Sequence, residues 1–227
     1  MYGRFVYVVT PTNYITPPNH GVTVYSIGPG GGLIPVTGPA IVTGGASHSI
    51  AITSNGKNAY VVNSGSHSIS QYTLAATGAL VPMVPATIGT GAVGPLFIAI
   101  DPAGANAYVT NNYNGSISQY SIGPSGALSS ILPAVPAGAY PRNIAVDPFS
   151  QFVYSVNDGV NDVVHQFAIN AGGALTALSP APAPTGLGNS GNSVAIDPSG
   201  QYVYVTNDID NTVSQYSIGA GGELTPL

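Results

Sequence analysis

Ionisable side chains are scarce in this 227-residue chain: three Lys or Arg, eight Asp or Glu, four His and no Cys. Acid–base or electrostatic chemistry must therefore fall to a few individual residues. His48 in ASHSIAI and Arg142 in YPRNIAV are the first candidates, because each leads into a short apolar run. Imidazole exchanges protons near neutral pH, and guanidinium clamps a carboxylate or polarises a carbonyl. Leu96 in PLFIAI and Asn192 in GNSVAI hold the same place ahead of equivalent runs, and the residues that follow are Ser49, Phe97, Asn143 and Ser193. A column this varied inside an otherwise regular text is where a ligand site would be built. Its plain alternative is a solvated strand end that tolerates change. His48, Phe97, Arg142, Asn143 and Asn192 are the candidate ligand contacts.

The remaining polar groups add little. Asp101, Asp147 and Asp197 recur in DPAG, DPFS and DPSG, where Asp accepts a backbone N–H and Pro presets a type I turn, so they read as turn formers. Asp158 and Asp162 in NDGVND, with Asp208 and Asp210 in NDIDN, could bind Ca²⁺ but lack EF-hand spacing; solvated loops are the expectation. His20, His67 and His165 form no pair with metal-ligand spacing, so neither metal nor cofactor is expected. With Arg4, Lys57 and Arg142 as the strong bases and a net charge of −5, nucleic acid and anionic membranes are unsuited partners. No apolar stretch is long enough for a membrane helix. The chain enters a strand-like run by Phe5, which leaves no room for a signal peptide, so an exported precursor would have lost its signal before Met1. The weakly charged surface suggests an exported protein, extracellular, cell-surface or periplasmic, in which Asn114-Gly-Ser116 would be a glycosylation sequon.

These residues are positioned by a repeat. Tyr60, Tyr108, Tyr154 and Tyr204 lie in AYVVN, AYVTN, VYSVN and VYVTN at intervals of 48, 46 and 50 residues, with Tyr7 in an earlier copy. Tyr25, Tyr72, Tyr120, Phe167 and Tyr216 mark the strand that follows. Each unit contains up to four short β-type runs, A to D. The Asn that ends strand B (Asn63, Asn111, Asn157, Asn207) is expected to serve there by tolerating the left-handed conformation. Four-stranded units of this length, stacked around an axis, predict an all-β protein, a β-propeller with five four-stranded repeats at about 1–47, 48–95, 96–141, 142–191 and 192–227 in one domain. Blades covered on both faces need no polar alternation, and FIAI and VYVT show none. The column that leads into strand A then lies at the mouth of the central channel.

The YVTN motif at 108–111 and 204–207, preceded by IAIDPAG at 98–104 and VAIDPSG at 194–200, resembles the YVTN-repeat, lactonase-like β-propellers over almost the whole chain. Members include enzymes similar to 6-phosphogluconolactonase as well as surface-layer and other extracellular binding proteins. Arg142 sits where those relatives carry Pro-Arg-His, and His48 resembles another family His at the start of an A strand. The resemblance implies that a lactonase would use His48 and Arg142, but Asn143 replaces the second His, and an amide cannot exchange protons as imidazole does.

One strand is missing from the count, the A strand of the first blade, so 19 runs appear where five blades need 20. Three arrangements follow: an open arc of a larger propeller, a five-bladed ring with an imperfect seam, or a neighbouring molecule that supplies the strand and builds oligomers or filaments. The main functional expectation is a non-catalytic exported propeller that binds protein or glycan or assembles with itself. The alternative is a lactone hydrolase. In that case a phosphorylated sugar is disfavoured, since a phosphate dianion calls for several cations or a helix N-terminus.

Overall fold

The computed structural model describes residues 5–10, 21–37, 41, 43–158, 163–179, 183–184 and 191–227. His20 and Asp162 lie outside them. The described residues form antiparallel strands joined by turns, without a helix, in five sheets that follow one another in chain order. The first contains β1 (Phe5–Thr10), β2 (Gly21–Ile27) and β3 (Leu33–Pro35). The second contains β4 (Ser47–Ile52), β5 (Asn58–Asn63), β6 (Ser68–Leu74) and β7 (Leu80–Gly89); the third, β8 (Pro95–Ile100), β9 (Asn106–Asn111), β10 (Ser116–Ile122) and β11 (Leu128–Pro136). The fourth contains β12 (Pro141–Val146), β13 (Phe152–Asn157), β14 (Val163–Ile169), β15 (Leu175–Ala177) and β16 (Ala183–Pro184); the fifth, β17 (Gly191–Ile196), β18 (Tyr202–Asn207), β19 (Thr212–Ile218) and β20 (Leu224–Pro226).

These are the blades of a partial propeller. The first sheet starts at the B position among the described residues, as the repeat predicts. The inner strands β4, β8, β12 and β17 pack in succession, whereas no comparable packing among described residues joins the fifth sheet to the first. That is an open arc rather than a five-bladed ring. The strand count is 20 instead of 19 because the outer strand of the fourth blade forms two pieces, β15 and β16, both paired with β14.

The core lies in the seams between sheets rather than inside any one of them. Tyr60, Val62 and Ile69 of the second sheet pack on Ile98, Ala107, Val109, Tyr120 and Leu128 of the third, and the other consecutive seams repeat the pattern. Strand β5 is buried at every residue. Each seam carries a polar lock as well. A buried Tyr hydroxyl needs a partner, and Tyr7, Tyr60, Tyr108 and Tyr154 donate to the carbonyls of Gly78, Gly126, Gly173 and Gly222 in the next blade, at 2.9, 2.6, 2.9 and 2.7 Å. The carbonyl of Gly173 is presented by a turn with φ near 86°, and a Cβ there would collide with Asn106. Gln71 and Gln166 add a second tie by accepting the N–H of Leu128 and Leu224 at 2.8 and 2.7 Å; Gln119 does the same for Leu175.

Asp101, Asp147 and Asp197 are turn formers as expected. Asp147 Oδ1 accepts the N–H of both Gln151 and Phe152, and its Oδ2 that of Phe149. The Asn residues at the ends of the B strands depart from expectation. None has positive φ. Asn63, Asn111 and Asn207 are buried hubs whose Nδ2 donates to two hydroxyls at the start of the neighbouring C strand, Ser70 at 3.0 Å and Ser118 at 2.9 Å among them. Asn157 instead donates to the carbonyls of Ala137 and Ala139 in the preceding blade, because Val163 and His165 replace those hydroxyls.

Candidate active site at the mouth of the inner strands

Every complete inner strand begins with an irregularity in its pairing: between Ser47 and Ser49, Pro95 and Ile98, Pro141 and Ile144, and Gly191 and Ser193. A bulge adds a residue on one strand and re-aims side chains. The variable column, His48, Phe97, Arg142, Asn143 and Asn192, falls on these bulges. Local irregularity thus frees that column from the ladder while the rest of each strand stays in register.

The column is connected across blades. His48 of the second blade meets Phe97 of the third edge-to-face, with ring centroids 5.0 Å apart and an interplanar angle of 73°. Burial against these neighbours, with a smaller contribution from the Arg142 charge, holds the His48 pKa below the ordinary imidazole value, so the ring is neutral at neutral pH. Thr110 ties the third and fourth blades: its Oγ1 accepts Phe97 N–H at 3.2 Å and donates to the Arg142 carbonyl at 2.7 Å. Asn143 Oδ1 accepts Val194 N–H from the fifth blade at 3.4 Å. Ser49 Oγ, next to His48, is buried without a protein hydrogen-bond partner.

Two pairings were not read from the sequence. Arg142 Nη1 donates to Asp158 Oδ2 at 2.7 Å, an ion pair about one-third exposed. Asn192 Nδ2 donates to Asp208 Oδ2 at 3.3 Å. Both join residues 16 apart, the column residue and the one just after the buried Asn of strand B, which the antiparallel register sets side by side. That constant offset was present in the sequence and could have found them. Asp158 and Asp208 are therefore partners of the column, and Asp158 is the carboxylate that faces Arg142.

Together the groups can do chemistry on a carbonyl compound. A neutral imidazole can accept a proton from water, and the guanidinium N–H groups left over from Asp158 can donate to an oxygen that gains charge.

A partial propeller of four-stranded repeats thus presents an imidazole and a guanidinium where its inner strands begin. The chain belongs to the lactonase, seven-bladed β-propeller family, whose model matches residues 2–227. No curated protein sequence matches it significantly. Among solved structures, it is similar to the periplasmic gluconolactonase PpgL of Pseudomonas aeruginosa, with 19% identity and a TM-score of 0.84 over 99% of this chain and 66% of that one. It is also similar to a candidate 6-phosphogluconolactonase of Bacteroides fragilis, with 22% identity and a TM-score of 0.75 over 91% of this chain and 63% of that one. The chain thus spans just under two thirds of the length of these structures, and at such identities the likeness shows the fold.

Proposed function

We propose that the mouth formed by His48, Phe97 and Arg142 hydrolyses lactones. The observation that carries this reading is a neutral imidazole, packed on Phe97 and within electrostatic reach of the Arg142 guanidinium two blades on. In the reaction, His48 takes a proton from water as its oxygen adds to the lactone carbonyl. Arg142 donates to the resulting oxyanion, the ring C–O bond breaks, and the imidazolium proton passes to the departing alkoxide. Asn143, which stands where an imidazole would otherwise be, is a structural tie and takes no proton. Membership of the lactonase family and the two gluconolactonase-type neighbours support this alternative over the non-catalytic expectation. The periplasmic location of one neighbour supports export of this chain as well.

The test is turnover of a lactone panel by purified protein. His48→Ala and Arg142→Ala are each expected to lower kcat/KM by about 100-fold. Unchanged rates in both variants, measured above spontaneous hydrolysis, remove the assignment. Binding of protein or glycan, or self-assembly through the inner edge that β1 leaves unpaired among the described residues, is the second reading. It is favoured by one observation: Arg142 is already engaged by Asp158.

A further inference from the structure

We propose that the mouth selects lactones without a charged substituent, and that Asp158 sets this selectivity by neutralising Arg142; the proposal rests on the lactone reading above. Arg142 is the one strong base that the described residues bring to the mouth. Lys57 belongs to the turn between β4 and β5, at the opposite end of the second blade, and Arg4 lies outside the described residues. Among the described residues, three carboxylates stand at the mouth end of the fourth and fifth blades. Asp158 holds Arg142 at 2.7 Å, Asp208 accepts from Asn192 at 3.3 Å, and Asp210 keeps one carboxylate oxygen buried without a partner. His48 is neutral and adds no positive charge.

A phosphate dianion is held by several cations or by a helix N-terminus. The described residues offer one partly cancelled cation and no helix, and the surrounding carboxylates repel an anion that approaches through the mouth. The same surface suits hydroxyl groups. Asn143 keeps its Nδ2 donors because Val194 uses only its Oδ1, and Asn192 keeps its Oδ1. A neutral polyhydroxy lactone can satisfy both without bringing charge into a net-negative site.

Asp158 acts through Arg142, which makes it a positioning residue. The experiment compares glucono-1,5-lactone with its 6-phosphate at low ionic strength, resolving kcat and KM. The wild-type protein is expected to favour the unphosphorylated lactone by about tenfold or more in kcat/KM. Asp158→Asn should cut that preference about fivefold, mainly through a lower KM for the phosphate ester, and Asp158→Glu should restore it. Equal or better use of the phosphorylated lactone by wild type overturns the proposal, as does an unmoved preference in a folded Asp158→Asn protein. If that variant fails to fold, Asp208→Asn carries the test, with a smaller shift in the same direction expected and none overturning it. If neither lactone is turned over, the lactone reading fails by itself. The charge proposal is then read from calorimetric binding of gluconate and 6-phosphogluconate: equal or tighter binding of the phosphorylated acid overturns it, and weaker binding supports it.

Discussion

Tyr154 and Tyr204 occupy the same position in adjacent repeats, yet their surroundings differ. Tyr154 has no exposed surface and its hydroxyl donates to Gly222 in the next blade. Tyr204 is 40% exposed, and among the described residues its hydroxyl meets no partner. The contrast extends over the whole blade face. Ile69, Ile117 and Val164 are fully buried in their seams, while Val213 at the same repeat position is 53% exposed. The first sheet shows the complementary side: Leu33 is 52% exposed, whereas Leu80, Leu128, Leu175 and Leu224 are buried. A blade is therefore an incomplete object. Its sequence encodes half of a seam on each face, and the stabilisation appears only where another blade supplies the other half.

Stability measurements should separate the two regions sharply. Ile117→Ala removes buried methyl groups from the seam between the third and fourth blades and is expected to cost about 2–5 kcal/mol in urea unfolding. Val213→Ala on the outer face should stay within about 0.5 kcal/mol. Similar losses at both positions would show that the outer face of the fifth sheet is covered in solution. A finer version uses the polar lock. Tyr108→Phe leaves the Gly173 carbonyl without its donor in a buried seam and should cost about 1–3 kcal/mol. Tyr204→Phe should cost nothing measurable, and a loss comparable to that of Tyr108→Phe would break the distinction.

The same distinction explains which features the sequence made legible. Strand positions, Asp turns and the short first blade depend on local chemistry and a period, so each copy announces them. The absence of polar alternation implied strands covered on both faces, which holds for FIAI in β8 and for β5, buried throughout, but not for VYVT at 203–206. The fifth blade carries nearly the same text in YVYVTN, but its residues alternate between exposed and buried. Nothing within the repeat encodes whether a neighbour is present. The role of the buried Asn was missed because its partners lie across the strand pair, at Ser68 and Ser70 for Asn63. The Arg142–Asp158 pair was missed because it depends on register, and the bulges because they depend on pairing. His48 and Phe97 were legible as members of a column, but their edge-to-face contact joins different blades and follows only from the seam.

The smallest effect concerns two histidines on either side of this distinction. His48 sits at the mouth, where burial and then the Arg142 charge lower its pKa; His165 sits inside the fourth blade, beside Phe167 and Gly138, and burial alone lowers its pKa. Both rings bind a proton less readily in the folded chain than in the unfolded one. Their contribution to stability is therefore present above the ordinary imidazole pKa near 6.5 and is lost as pH falls below it. A lactonase using His48 as base keeps its rate to a lower pH than an unperturbed imidazole would allow, because the ring stays deprotonated there. Arg142→Gln removes one of the two causes at His48 and neither at His165. In an NMR titration of the ring protons, His48 should move back toward the ordinary value while His165 stays in place. If both moved together, the variant would have loosened the seam as a whole. If neither moved, the guanidinium would lie too far from the ring to share a transition state with it.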